Sequence, residues 1–113
     1  MPAAKYRLER KSFKLLFGVG KKIFSPDFNL TYLKNGGYDN GKIGFVVSSA
    51  LSKKSVVRNR LKRRARAIIF KHLKDFVGSF AAVFVFKKRC LNFSFGELEK
   101  EMVASLKKAG IIK

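Results

Sequence analysis

The chain has 113 residues, 47% of them apolar with 12 Phe, so one domain can bury a core without disulfide support, and its 29% charged content excludes an ordinary membrane span. Its 26 Lys and Arg against 7 Asp and Glu leave a formal net charge of +19, a self-repelling excess that points to an anionic partner: nucleic acid first, an anionic membrane surface second. One cysteine, Cys90, and one histidine, His72, exclude an internal disulfide, a Cys-based zinc site and a His pair on a metal.

Residues 1–11 are basic and polar and predict a flexible N-terminal arm on a single domain of residues 1–113. The first five residues lack the apolar stretch of a signal peptide, which predicts a cytoplasmic protein. Ser12 is a candidate cap for a short helix in which Phe13, Leu16 and Phe17 fall at i, i+3, i+4, ended by Gly18 and Gly20. Residues 21–24 suit a short strand and Ser25-Pro26-Asp27 a turn. Phe28, Leu30 and Tyr32 alternate with Asn29 and Thr31, the pattern of a half-buried strand.

After a flexible turn at residues 35–41, residues 43–47 suit a second, more apolar strand. The two strands read as an antiparallel hairpin with a loose loop. A long helix is predicted from about Lys53 to Phe76, with Val57, Leu61, Ala65, Ile68, Ile69, His72, Leu73 and Phe76 on its apolar face. His72 reads there as a satisfied core histidine, and Cys90 as a plain thiol at a strand end. Phe80 to Phe86 is a buried strand, nearly all apolar. Ser94-Phe95-Gly96-Glu97 has the pattern of a capping box and opens a last helix with Leu98, Met102, Leu106 and Ala109 on one face. The expected fold is α/β: an α+β two-layer sandwich, order α-β-β-β-α-β-α, with a small mixed, mainly antiparallel sheet packed by three helices.

The segment Lys53–Arg66 holds eight basic residues in fourteen and no acid. On a helical wheel Asn59, Arg63, Arg66 and Phe70 lie about 140° to 200° from Leu61, a strip opposite the core, with Lys53, Arg60 and Lys71 on its flank. Guanidinium forks donate two parallel hydrogen bonds to phosphate oxygens, and several on one rigid helix fix the register of a nucleic-acid strand. A solvated basic face without a partner is the plainer reading, but no acid sits at i±4 to balance these charges. The seven acids are scattered and suggest no general acid or base, so no catalytic residue and no metal ligand is expected in the polypeptide.

Arg58-Asn59-Arg60-Leu61-Lys62-Arg63-Arg64-Ala65-Arg66 resembles the RNR motif of the bacterial ribonuclease P protein family, R-N-R-x-K-R-x-x-R, at every fixed position. The surroundings are similar too: Phe13 and Phe17 followed by Gly20, the strand Lys42–Val47, Phe86-Lys87-Lys88 and the capped last helix. The resemblance spans about residues 7–109. It implies a protein subunit whose RNA partner does the chemistry, cutting the 5′ leader from precursor tRNA. Mg²⁺ is then required by the RNA, with no cofactor bound by the protein alone. The partners it implies are ribonuclease P RNA and precursor tRNA, with no membrane and no protein partner required.

Carried over by position, the RNA-binding residues are Lys53, Lys54, Arg58, Asn59, Arg60, Lys62, Arg63 and Arg66. The family's leader cleft, between the first helix and the sheet, maps to Phe13, Phe17, Thr31 and Tyr32. Core packing remains open for Phe13 and Phe17, and alternation favours the core for Tyr32. Many relatives carry a Lys-Lys pair where this chain has Ser48-Ser49-Ala50, a departure from the family pattern. A ribosomal RNA-binding protein is the alternative, equally consistent with size and charge.

Overall fold

The computed structural model describes residues 8, 10–34 and 41–113 of the chain. The chain runs α1 (Arg10–Val19), β1 (Lys21–Phe24), β2 (Phe28–Lys34), β3 (Gly41–Val46), α2 (Ser55–Lys71), β4 (Phe80–Phe86) and α3 (Phe95–Lys108), with 3₁₀ turns at Leu73–Asp75 and Lys88–Asn92. The expected class and element order hold: a four-stranded, mostly antiparallel sheet with three helices.

The strand pairing differs from the expected hairpin. The sheet order is β1-β2-β4-β3, so β4 separates β2 from β3. β2 is antiparallel to both β1 and β4, whereas β3 runs parallel to β4 and reaches it through α2. The reason is burial. β4 has apolar residues at every position, six of seven of them buried, and only a central strand covered on both faces can use such a segment. β2 and β3 are neighbours in sequence but each is better served by β4 than by the other.

Alternation along the strands sends side chains to two unequal cores. One face carries Phe28, Leu30, Ile43, Phe80, Ala82, Phe84 and Phe86 against α2 and α3, which contribute Leu61, Ala65, Ile68, Leu98, Met102 and Leu106. Aromatic rings fill its centre, with Phe28 edge-on to Phe84 at 5.2 Å and Phe84 stacked with Phe86 at 5.9 Å. Gly41 lies flat against the ring of Phe80, where any Cβ would collide. The opposite face holds a small cluster of Leu8, Leu16, Ala81 and Val83, with α1 across it.

The ends of several elements also depart from expectation. Leu8 is buried and its amide donates to the Ile43 carbonyl at 3.1 Å, and α1 already begins at Arg10; in its described part the predicted arm is fixed to β3. The predicted cap Ser12 lies inside α1. Gly18 is helical, and the helix stops at Gly20, whose absent side chain lets α1 meet β2: a Cβ would stand 2.6 Å from the Leu16 carbonyl and 2.9 Å from Thr31. The remaining arm residues 1–7 and 9, and the predicted turn from 35 to 40, lie outside the described residues.

α2 ends at Lys71 rather than Phe76. The His72 amide is shared between the Ile68 and Ile69 carbonyls and the chain tightens into the 3₁₀ turn. Leu73 and Phe76 keep a three-residue spacing through that turn, which is why the apolar rhythm outlasts the helix. Phe76 then pairs with Ile112, and the Val77 amide donates to the Ile111 carbonyl at 2.8 Å, so the chain's last residues close the core.

Candidate nucleic-acid interface

α2 is placed by four buried residues, Leu61, Ala65, Ile68 and Ile69, which press one side onto the sheet. Everything opposite is turned outward. Asn59, Arg60, Arg63, Arg66 and Phe70 are exposed, as are Lys53 and Lys54 just ahead of the helix, while Arg58 and Lys62 are half-buried on its flank. Two of the arginines serve the fold. Arg58 donates from Nη1 to the Ser52 carbonyl at 2.6 Å, tying the approach to α2, and Arg64 donates from Nη1 to the Phe93 carbonyl at 3.2 Å, tying α2 to the entry of α3. Among the described residues no carboxylate pairs with Lys53, Lys54, Asn59, Arg60, Lys62, Arg63 or Arg66.

The nearby acids are engaged elsewhere. Glu99 on α3 accepts from Lys71 Nζ and lies 2.8 Å from His72 Nε2; these bonds, Lys71 first, hold its carboxyl below the usual range. Asp75 is 3.6 Å from His72 Nδ1. His72 is therefore a half-exposed latch between α2 and α3, not the core histidine expected from its helical phase. The arrangement leaves a rigid cationic strip free of neutralising acid, suited to a phosphate backbone.

The second region is the face under α1. Helix α1 rests on it through Leu16 and covers Ala81, Val83 and Thr31. Thr31, expected in a cleft, is 2% exposed, sealed beneath Gly20. Tyr32 points to the other side and packs on the main core. Phe17 is 38% exposed on α1, and the side chain of Phe13 lies outside the described residues.

What stays open is the next row of the sheet. Phe24, Asn29, Val85 and Val46 are paired across β1, β2, β4 and β3 and share the α1 face. Phe24 is 71% exposed, the other three are half-buried, and the Asn29 Oδ1 atom is buried without a hydrogen-bond partner. A polar atom held that way in an apolar row suits a ligand donor. None of these four was singled out from sequence. The alternation that sent Phe28 and Leu30 to the core already placed Asn29 opposite them, but the fold of the neighbouring strands decides which residue of that face α1 leaves bare.

The turn that joins Phe24 to β2 is firmly held. Ser25 Oγ accepts from the Asp27 and Phe28 amides, Lys87 Nζ donates to the Ser25 carbonyl at 2.7 Å, and Arg89 Nε stands 3.2 Å from Asp27 Oδ1. Cys90 lies in the 3₁₀ turn after β4, where its thiol donates to the Asp27 carbonyl at 2.9 Å; burial, then the Asp27 charge, pushes its pKa up to about 11. Among the described residues there is no group of three or more His, Cys, Asp or Glu placed to hold a metal ion, and no helix is long and apolar enough to cross a membrane.

The family model described as Ribonuclease P matches residues 1–110. The chain is 29% identical to the ribonuclease P protein component of Microcystis aeruginosa, covering 91% of this chain and 88% of that one. It is 31% identical to the ribonuclease P protein component of Syntrophomonas wolfei, over 96% and 88%. In three dimensions it matches the RNase P protein from Thermotoga maritima with a TM-score of 0.79 at 28% identity, over 90% of this chain and 96% of that one.

Proposed function

Because the chain belongs to the Ribonuclease P protein family and is a protein subunit of that tRNA-processing endonuclease, we propose that α2 docks on the catalytic RNA while the half-open face beside α1 takes the single-stranded 5′ leader of precursor tRNA. The observation that carries this reading is the unneutralised strip of Asn59, Arg60, Arg63 and Arg66 on a helix whose opposite side is locked into the core. Lys53, Lys54, Arg58 and Lys62 extend the same field. Rigid placement matters because phosphate contacts set register only if the cations do not move relative to one another.

On the other side of the sheet, Phe24 and Phe17 offer rings and Asn29 a buried acceptor in a row that crosses all four strands. Thr31 supports that row from beneath α1 and Tyr32 from the core side. The protein supplies binding and orientation; the RNA, with its Mg²⁺, supplies the chemistry. By neutralising crowded phosphates the +19 chain lowers the Mg²⁺ that the complex needs. The working compartment is the cytoplasm.

The test is cleavage of precursor tRNA by a bacterial ribonuclease P RNA at low Mg²⁺, with and without the protein. Protein-dependent release of the leader at the mature 5′ end is expected. Tight RNA binding with no stimulation would leave only a general RNA binder. Arg63→Ala is expected to weaken RNA binding and reduce the slope of log affinity against log salt by about one charge.

A further inference from the structure

Phe70 stands 48% exposed on the outward strip of α2, in line with Asn59, Arg63 and Arg66 at spacings of four, three and four residues. The strip from Asn59 to Phe70 is about 16 Å long, and Arg66 and Phe70 are about 6 Å apart along the axis. The side chain is not part of the core. The core is on the far side of the helix at Leu61, Ala65, Ile68 and Ile69, and Phe70 makes no ring contact with any described aromatic. Lys71, the next residue, reaches Glu99 on α3 at 3.0 Å, and Glu99 and Asp75 both face His72. An exposed ring at the end of a row of free cations has the two parts of a single-stranded RNA site, charge for the backbone and a π-face for a base.

We propose that Phe70 is a stacking platform for an unpaired base of the catalytic RNA, extending the interface of α2 one turn beyond its last arginine. The proposal rests on the reading of α2 given above and deepens it. The occupant is the catalytic RNA rather than the leader because α2 lies on the side of the sheet that carries the main core, and α1 with its open row lies on the other. A base stacked on Phe70 places its own phosphate within reach of Arg66, one helical turn back.

The experiment is the affinity of the protein for ribonuclease P RNA across a salt series, for the wild type, Phe70→Ala, Phe70→Leu, Phe70→Trp and Arg66→Ala, with thermal melts as a folding control. Phe70→Ala is expected to weaken binding roughly 5- to 150-fold at every salt concentration, with the salt slope unchanged because no charge is lost. Phe70→Leu is expected to fall with it, and Phe70→Trp to retain wild-type affinity. Wild-type binding by Phe70→Ala or by Phe70→Leu would overturn the proposal, the second by showing that apolar bulk suffices. If Arg66→Ala lowers affinity and slope while Phe70→Ala does nothing, the stacking site falls and the α2 interface stands. If neither variant changes binding, both fall. A loss seen only as poorer discrimination of precursor from mature tRNA would overturn the assignment to the catalytic RNA.

Discussion

Helix α3 opens on Ser94, whose Oγ accepts from the Glu97 amide while Glu97 accepts from the Ser94 amide, and it closes on Lys107 and Lys108. Helix α2 opens on Lys54 with no side-chain cap, has no acid in its first turn, and carries basic residues where the dipole disfavours them. One helix caps its own start; the other is held by the four residues it buries and by the ties that Arg58, Arg64, Lys71 and His72 make to neighbouring segments. The difference separates two tasks. α3 is scaffold and can be optimised locally, whereas α2 forgoes a cap and balancing acids to keep an unbroken positive surface. Helices short of local support are stable when tertiary packing supplies the rest.

The largest test of that contrast is Leu106→Ala. Leu106 is fully buried on α3, and its truncation is expected to destabilise the protein by about 2–5 kcal/mol in denaturant unfolding. At a temperature where the variant stays folded, its RNA affinity and salt slope should match the wild type. A changed slope would make α3 part of the interface and end the division of labour.

A matched pair sharpens it. Ser94→Ala removes the cap of α3 and should lower stability by about 1 kcal/mol with RNA binding unaltered, while Lys54→Ser gives α2 a cap and should raise stability by about the same amount. The second gain should come with weaker RNA binding and a salt slope reduced by about one. Weaker binding without a stability gain would mean that the bare start of α2 is not a local sacrifice.

The smallest effect concerns the latch between the two helices. The Glu99 carboxyl is held low by Lys71 and His72, so its contribution is present above the ordinary glutamate range and is lost as pH falls through the depressed folded value. Glu99→Gln should therefore cost at most about 1 kcal/mol near neutral pH and flatten the acid limb of the stability curve, read by thermal melts from pH 7 to 3.

Most of the elements were legible in the sequence because periodicity is a local property. The Ser94–Glu97 capping box, the apolar face of α2 and the outward strip of Asn59, Arg63 and Arg66 all follow from spacing alone. Pairing was not legible in the same way. The β2–β3 hairpin rested on proximity in sequence, and it fails because β4 competes for both partners; the unbroken apolar run from Phe80 to Phe86 was the sign that this strand belongs at the centre. The RNR-type residues needed only a helix to be placed, and Asn59, Arg60, Arg63 and Arg66 do lie on the outward side of α2. The open row of Phe24, Asn29, Val85 and Val46 draws one residue from each strand, and no window of sequence contains it.

That strand order also dictates a sequence of events during synthesis. β4 is the last strand to leave the ribosome and the one on which β2 and β3 both depend. Some 20 residues separate Arg66 from Phe86. At ordinary translation rates the cationic segment thus emerges roughly one to four seconds before the sheet beneath it can close. The nascent chain offers its affinity for polyanions before it has a shape, at the mouth of a particle made largely of RNA.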